Sequence, residues 1–355
     1  MELEPVPVVL RRLAARLAAA GVGPAAAEAR LLAAHVLGCP PVRLDLAAGF
    51  DPAAAARLEA LAAKRAAGCP LQHLTGCAPF RTATLAVGPG VFIPRPETEV
   101  MTGWLLGWLA RSALKRPALV VELCAGSGAI SLAIALEASG QRQWAVENAA
   151  AALPYLERNL AGVPVTVVAA DMAAALPSLD GQVDAVIANP PYLPAAAWAE
   201  LPADVRGFDP KSALVSGPDG LAATRVVAAT AARLLRPGGV VASEHDDSHG
   251  LAAPAVFAAA GFADLADHLD LTGRPRFATA VWPGSAGASQ AGADRAAAAP
   301  APAGAASPTR SAASVEAAEP ALISAAGAAA RAAETAGRPR GGGKTPGRAD
   351  GKMMP

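Results

Sequence analysis

Between about residue 81 and residue 282, short runs of apolar residues alternate with alanine-rich segments of helical character. Strands that are buried on both faces and separated by helices predict a parallel α/β sheet, because parallel neighbours need a long crossover connection. The predicted strands are Leu119–Leu123, Gln143–Glu147, Val165–Ala170, Val183–Asn189 and Gly239–Glu244. The predicted helices between them are 128–138, 149–161 and 220–236.

Two further apolar runs, 262–269 and 276–282, are separated by little chain, so we expect them to close the sheet as a hairpin. The first 80 residues are rich in Ala, Leu and Arg, with apolar residues at helical spacing, as at Leu10, Leu13 and Leu17. Gly- and Pro-containing breaks at 21–24 and 38–41 predict a small bundle of short helices.

Trp282 is the last aromatic residue, and the chain beyond it is dominated by Ala, Gly, Pro, Ser and Arg. A segment without large apolar groups cannot offset the entropy cost of ordering, so we predict a disordered tail. A basic binding arm is the alternative, since the segment GRPRGGGKTPGRADGK carries five basic residues and one acidic residue. The predicted domains are therefore a helical domain (1–80), a sheet domain (81–283) and the tail (284–355).

The charge balance argues against a general affinity for polyanions. Lys plus Arg and Asp plus Glu both number 30, so no global basic field attracts nucleic acid or an anionic membrane. The four cysteines form no CxxC pair, which fits a reducing cytosol. The acidic N-terminus does not resemble a signal peptide, and no apolar stretch is long enough to span a membrane. We expect a soluble cytoplasmic protein.

The segment ALVVELCAGSGAISLAIA runs from a predicted strand through a glycine-rich turn into a predicted helix. Gly126 and Gly128 allow the backbone to pass close to a ligand, and the helix start points free N–H groups at it. Glu147 ends the next strand, 19 residues after Gly128, where a carboxylate can accept both hydroxyl protons of a ribose. The alternative for the glycine-rich segment is a tight turn required for packing, and the alternative for Glu147 is an ordinary solvated acid at a strand end.

Asp171 ends the third predicted strand and is placed to accept from an adenine amino group, with Met172 packing on the ring. The alternative is that Asp171 caps the segment that follows. Suitable groups at three successive strand ends favour a nucleoside site. No P-loop lysine follows the glycines, which disfavours a triphosphate.

The fourth predicted strand ends in NPPY, the residues Asn189, Pro190, Pro191 and Tyr192. An amide or aromatic amino nitrogen is a weak nucleophile because its lone pair is delocalised. An enzyme that alkylates it must hold both N–H bonds and leave the lone pair facing the electrophile. The Asn189 side-chain oxygen and the Pro190 carbonyl are suited to accept those bonds, and proline holds the second acceptor rigidly.

Tyr192 offers a flat wall beside a planar substrate group. No strong base is needed, because alkylation itself acidifies the nitrogen, so orientation and proximity supply the catalysis. The alternative interpretation of NPPY is a turn after a buried strand.

Positions 70 to 282 resemble the HemK/PrmC family, the release-factor glutamine N5-methyltransferases that use S-adenosylmethionine. IPRPETE and NPPY together are specific to that family, whereas the glycine loop would match methyltransferases generally. The stretches that carry the resemblance are PLQHLTGCAPF, VFIPRPETE, ELCAGSGAISLAIA, NPPY, FDPKSALVSGPDGL, LLRPGGVVASEH and DLTGRPRF.

The resemblance implies a Rossmann-like class I methyltransferase fold, a seven-stranded sheet with a closing antiparallel hairpin, preceded by a helical domain that recognises the substrate. It implies that NPPY binds the glutamine amide, that Phe80 lines the amide pocket and that IPRPETE lies close by. The implied substrate is the Gly-Gly-Gln loop of class I peptide chain release factors. The implied cofactor-binding residues are Glu122, Cys124, Ala125, Gly126, Ser127, Gly128, Glu147, Asp171, Met172 and Asn189.

IPRPETE has a structural alternative, since Pro96 suits a helix start and Glu97 and Glu99 suit its first turn. Cys124 stands where the family usually has glycine. If that position requires a positive φ, cysteine is strained there, although a small side chain is expected to be accommodated with the loop unchanged. Nothing in the sequence pairs Cys124 with a base, so we do not expect a nucleophile.

Three competing interpretations remain. His245 and His249 are four residues apart, but they follow a strand and lack the HExxH glutamate, so we predict no metal site. A methyltransferase acting on an exocyclic amino group of adenine or guanine would use the same tetrapeptide, but the near-neutral helical domain disfavours nucleic acid. A non-catalytic protein that binds release factors or ribosomes is the third. We expect a monomer.

Overall fold

Residues 3–284 are described by the structure, a computed structural model, except for the side chains of residues 203 and 204. All but the first residue of the predicted tail (284–355) lies outside this range, so its disorder stays a prediction. Within the described range, no helix combines the length and the apolar character that crossing a bilayer requires.

The N-terminal region is a small helical bundle, as predicted, and it contains four α-helices. Leu13, Leu17, Leu32 and Leu58 are fully buried and form its centre. Asp51 caps the third helix by accepting from the backbone N–H of Ala54 at 2.7 Å. The helices are α1 (Val6–Ala19), α2 (Ala25–Leu37), α3 (Pro52–Ala66) and α4 (Leu71–Thr75), with a 3-10 helix, Pro41–Leu46, between α2 and α3.

A two-stranded antiparallel hairpin, β1 (Cys77–Phe80) and β2 (Ala83–Ala86), follows the bundle and was not predicted. Its strands are only four residues long, so they carry little periodic signal. The predicted domain boundary after residue 80 falls in its turn. The backbone N–H of Arg81 in this turn donates to Glu99 at 2.9 Å. Glu99 of IPRPETE therefore fixes the hairpin to the helix that starts at Pro96, α5 (Pro96–Arg111).

The rest of the described chain forms a seven-stranded sheet of order β5-β4-β3-β6-β7-β9-β8. Strands β3 to β7 are parallel, and β9 runs antiparallel to both of its neighbours. The predicted parallel sheet and closing hairpin are confirmed. The strands are β3 (Leu119–Leu123), β4 (Arg142–Glu147), β5 (Val165–Ala169), β6 (Val183–Ala188), β7 (Leu235–Glu244), β8 (Ala263–Leu269) and β9 (Pro275–Val281).

Helices cover both faces of this sheet, which explains why its central strands β3 and β6 are buried at every residue. Along β3, Val120 belongs to the core cluster shared with α5, and the next residue, Val121, belongs to the cluster on the other face. The helices that follow α5 are α6 (Ala129–Glu137), α7 (Leu153–Leu160), α8 (Ala203–Phe208), α9 (Ala222–Leu234) and α10 (Ala252–Ala259). Between them lie 3-10 helices at Pro177–Leu179, Ala195–Glu200, Lys211–Ala213 and Asp247–His249.

The strand order reverses between β3 and β6. From β3 the chain adds β4 and β5 on one side, and then returns to add β6 and β7 on the other. Crossovers that diverge in this way leave a crevice at the carboxyl ends of the strands, where open α/β sheets bind ligands. The last residues of the two central strands, Leu123 and Ala188, pair directly. The glycine-rich loop and NPPY therefore begin side by side.

Candidate active site

A cavity of about 450 Å³ lies at the carboxyl ends of the central strands. Its volume is within the range of small-molecule sites, roughly 300–1,000 Å³. Most of the predicted cofactor and substrate residues line it: Glu122, Cys124, Ala125, Gly126, Ser127, Glu147, Asp171, Met172, Asn189, Pro191 and Tyr192. The topology therefore brings together in one cavity residues that are up to 70 positions apart in the chain (192 − 122 = 70).

The two glycines of the loop serve different purposes. Gly126 lines the cavity with a φ of 54°, and a Cβ added there would meet no atom within 4 Å. Gly128 precedes α6 with a φ of 81°, and a Cβ there would lie 2.7 Å from a methyl group of Leu156. Gly126 thus leaves open space for a ligand, whereas Gly128 is required for packing of the loop against α7.

Cys124 adopts the left-handed conformation with a φ of 57°, so a residue with a side chain occupies a position that favours glycine. Its Sγ lies 3.5 Å from Sδ of Met172, on the cavity wall. Burial raises the pKa of the thiol to about 12, and the carboxylates of Glu147, Glu122 and Asp171 act in the same direction. The thiol is therefore protonated at neutral pH and unsuited to act as a nucleophile.

Replacing Cys124 by glycine should increase the free energy of unfolding by up to ~1 kcal/mol. Relief of the left-handed strain outweighs the added entropy of the unfolded chain. Chemical denaturation measures this, with Cys77→Gly as the matched control, because Cys77 has no positive φ and glycine there should destabilise the protein. A loss of stability in Cys124→Gly comparable to that in Cys77→Gly would contradict the prediction.

The carboxylate of Glu147 is held at the end of β4 with only 8% of the residue exposed. One of its oxygens accepts from the N–H of Gly126 at 2.8 Å. The other accepts from Asn148 at 2.9 Å and from Ala149 at 2.7 Å. A carboxylate has about four lone-pair sites, so three bonds leave capacity for a ligand hydroxyl. These contacts also tie the acceptor to the glycine-rich loop.

Glu122 is more deeply buried and lies behind the start of α6. One of its oxygens accepts from the N–H of Ser131 at 2.9 Å and from the hydroxyl of the same residue. Burial raises the pKa of Glu122 to about 8, so this side chain is largely protonated at neutral pH. Part of the hydrogen-bonding capacity of the helix start is therefore taken by the protein's own carboxyl group.

Asp171 and Met172 follow β5 and form the far wall of the cavity. Asp171 is exposed, and one of its oxygens accepts from the N–H of Ala173 at 2.8 Å. This bond fits the interpretation of Asp171 as a cap. The second carboxylate oxygen accepts no hydrogen bond from a described residue, so Asp171 can cap the segment and contact a ligand at the same time.

Asn189 and Tyr192 hold the opposite wall. The side-chain N–H group of Asn189 donates to the hydroxyl of Thr98 at 3.2 Å, and no described residue donates to its side-chain oxygen. The backbone N–H groups of Tyr192 and Leu193 both donate to the carbonyl of Leu214, at 3.0 and 2.7 Å. The FDPKSALVSGPDGL stretch therefore holds the NPPY backbone, and four of its residues also line the cavity: Pro210, Ser212, Ala213 and Leu214. Pro190 is buried and does not line the cavity.

Phe80 lies elsewhere. It is fully buried in the core beneath the hairpin and is not among the residues lining the cavity. Phe92, Pro94 and Thr98 line it instead, all from VFIPRPETE. The predicted proximity of this motif is therefore present in the structure, and the motif itself was the signal from which these three residues could have been identified.

One of the two spaced histidines is bonded to a neighbouring carboxylate. His245 is buried, with its Nε2 atom 2.9 Å from the carboxylate of Asp267. Within residues 3–284, no group of three or more His, Cys, Asp or Glu side chains has an arrangement that could hold a metal ion.

Comparison with known proteins gives two family matches that together span the bundle and the first half of the sheet. The model of the PrmC N-terminal domain matches residues 9–76, and that of the methyltransferase small domain matches residues 83–200. The release factor glutamine methyltransferase of Mycolicibacterium smegmatis is 50% identical over 270 residues, covering 75% of this chain and 94% of that protein. The enzyme of the same name from Streptomyces coelicolor is 47% identical over 268 residues, covering 75% and 94%. That from Mycobacterium tuberculosis is 42% identical over 278 residues, covering 76% and 88%.

Proposed function

The chain belongs to the release factor glutamine methyltransferase family, S-adenosylmethionine-dependent enzymes, and we propose that its cavity at the carboxyl ends of the central strands is the methylation site. The acceptor is a peptide chain release factor, and the proposed target is the side-chain nitrogen (N5) of glutamine in its Gly-Gly-Gln motif. The proposal rests chiefly on Asn189, which lines the cavity and whose side-chain oxygen accepts no hydrogen bond from a described residue.

The residues around the cavity fit S-adenosylmethionine. Glu147 supplies a buried acceptor for the ribose hydroxyls, and Asp171 and Met172 supply a polar and an apolar group for the adenine. The open backbone at Gly126 leaves room for the methionine part. When bound there, the cofactor supplies an electrophilic methyl group on a sulfonium ion.

The protein's contribution to the reaction is to orient the substrate amide. The side-chain oxygen of Asn189 accepts one N–H bond of the glutamine. The carbonyl of Pro190 was predicted to accept the other, but Pro190 does not line the cavity, so the proposal assigns only the first bond. Fixing that N–H bond restricts rotation of the amide and helps to hold the nitrogen lone pair toward the methyl donor before the bond forms. Alkylation acidifies the nitrogen, so no side-chain base is required, and the protonated Cys124 thiol takes no part.

The helical region 1–80 is proposed to recognise the protein substrate. It carries eight basic and six acidic residues, and four of the eight basic side chains form ion pairs with its own acids. Phosphate recognition requires unpaired Lys and Arg, so this surface suits a protein better than RNA. A monomeric state and the absence of nucleic-acid binding are predictions of the same proposal.

The test is methyl transfer to an unmodified release factor. The protein is incubated with S-adenosylmethionine and the release factor, and a tryptic digest is analysed by mass spectrometry. We expect the mass of one added methyl group on the Gly-Gly-Gln peptide, and none on a control release factor whose motif glutamine is replaced by alanine. Methyl transfer to ribosomal RNA in a parallel incubation, with the release factor unmodified, would contradict the proposal.

A further inference from the structure

Glu244, the last residue of β7, lies directly behind the NPPY wall. It is 1% exposed and does not line the cavity itself. One of its oxygens accepts from the hydroxyl of Thr98 at 2.7 Å, and the other is 3.3 Å from the hydroxyl of Tyr192. A single buried carboxylate therefore contacts two residues of the cavity wall, one from IPRPETE and one from NPPY.

The direction of these hydrogen bonds determines how the Asn189 amide is turned. A carboxylate only accepts, and a hydroxyl has a single proton. Thr98 must give its proton to Glu244, so toward Asn189 its oxygen can only accept. The amide consequently points its NH₂ group at Thr98, at 3.2 Å, and leaves its oxygen free to accept from a ligand in the cavity that Asn189 lines.

We propose that Glu244 is a positioning residue that sets the orientation of the Asn189 amide through Thr98. The proposal rests on the function of Asn189 given above, in which its oxygen accepts an N–H bond of the substrate glutamine. A protonated Glu244 can donate to Thr98, whose own proton then becomes available to Asn189. The amide would turn over and present N–H groups to a substrate that also carries N–H groups.

The charge state of Glu244 is set by groups on three other segments. Burial raises its pKa to about 7, and the hydrogen bond from Thr98 acts against this. Arg276 on β9 also lowers the pKa, as does the hydroxyl of Tyr192, whereas Glu97 at the start of α5 raises it. Burial and the nearby Glu244 raise the pKa of Tyr192 well above its usual value. The phenol therefore stays neutral and can donate its proton to Glu244.

The sign of the expected pH effect follows directly. Above a pH of about 7 Glu244 is ionised, and the amide oxygen faces the cavity. As the pH falls through this value, Glu244 takes up a proton and the orienting effect is lost. The turnover rate of the unaltered enzyme should therefore decrease on acidification, without a matching change in affinity for S-adenosylmethionine.

The experiment compares the unaltered enzyme with Glu244→Gln, in which an amide of the same shape can donate to Thr98. We expect kcat for methylation of a release factor to fall about 10- to 100-fold at pH 8, because a misoriented group costs rate and not binding. We also expect the acid limb of its pH profile near pH 7 to disappear, while S-adenosylmethionine affinity stays unchanged. Glu137→Gln, which alters an acid paired with Arg81 away from the cavity, should retain the normal rate and profile.

Thr98 provides the second pair of variants, which decides the question if Glu244→Gln fails to fold. Thr98→Ser keeps the hydroxyl and should retain most of the activity, whereas Thr98→Val should lose it to a similar extent as Glu244→Gln. The proposal is overturned if Glu244→Gln or, in its place, Thr98→Val has a normal kcat and pH profile. Those results would leave the proposed function intact provided that the unaltered enzyme methylates the release factor and Asn189→Ala does not.

Discussion

Asn189→Ala should lower kcat for release-factor methylation about 10²- to 10³-fold, the cost of removing one preorganised hydrogen-bonding group from an active site. The alanine removes the side-chain amide oxygen proposed to accept from the substrate, while the backbone of NPPY stays held by Leu214. Glu147 and the glycine-rich loop are untouched, so the dissociation constant for S-adenosylmethionine should not change. The loss of activity should therefore appear in kcat and not in cofactor affinity.

Single-turnover methylation and calorimetric titration with S-adenosylmethionine separate these two quantities. The matched control is Gln182→Ala, which removes a side-chain amide that bonds only to a nearby backbone carbonyl, that of Ser178, among the described residues. It should be fully active. Normal turnover by Asn189→Ala would exclude the assigned role, and a parallel loss of cofactor affinity would assign Asn189 to cofactor binding instead.

Glu147→Ala should weaken S-adenosylmethionine binding by about 10²-fold or more, because hydrogen bonds to a charged group contribute ~1.5–3 kcal/mol each. The substitution removes the predicted ribose acceptor, and it also removes the bond that fixes Gly126. Since Asn189 is unaffected, kcat at saturating cofactor should stay close to that of the unaltered enzyme.

Calorimetry measures the affinity, and methylation rates over a range of cofactor concentrations give the corresponding KM. Glu147→Gln keeps one acceptor oxygen and should lie between the alanine variant and the unaltered enzyme. Glu157→Ala, an exposed residue on α7, serves as the control for loss of a carboxylate and should bind normally. An unchanged dissociation constant in Glu147→Ala would remove this residue from the cofactor site.

The centre of the sheet was predictable because β3 and β6 are buried at every residue and leave nearly continuous apolar runs in the sequence. The ends of β3 were predicted without error, and those of β4, β5 and β6 to within one residue. β7 starts at Leu235, four residues before the predicted Gly239 (239 − 235 = 4). The intervening Pro237 and Gly238 indicated a turn, but the strand passes through them with an irregular register against β6.

The candidate site was predictable where one short segment carries the chemistry, as in the glycine-rich loop and NPPY. It was not predictable where a contact depends on topology. Thr98 and Glu244 are 146 residues apart, and neither carries a local sign that it meets the other. Phe80 is a case in which the family resemblance was misleading, because it predicted a residue of the amide pocket and the structure has this residue in the core.

The direct pairing of Leu123 with Ala188 has a mechanical consequence for the reaction. Neighbouring strands lie about 4.8 Å apart, so the donor and acceptor halves of the site are anchored to a single stiff scaffold. The two halves therefore begin at adjacent positions of one sheet. The helical bundle is proposed to bind the release factor, so substitutions on its surface should alter the frequency of productive encounters and leave the geometry of each transfer unaltered.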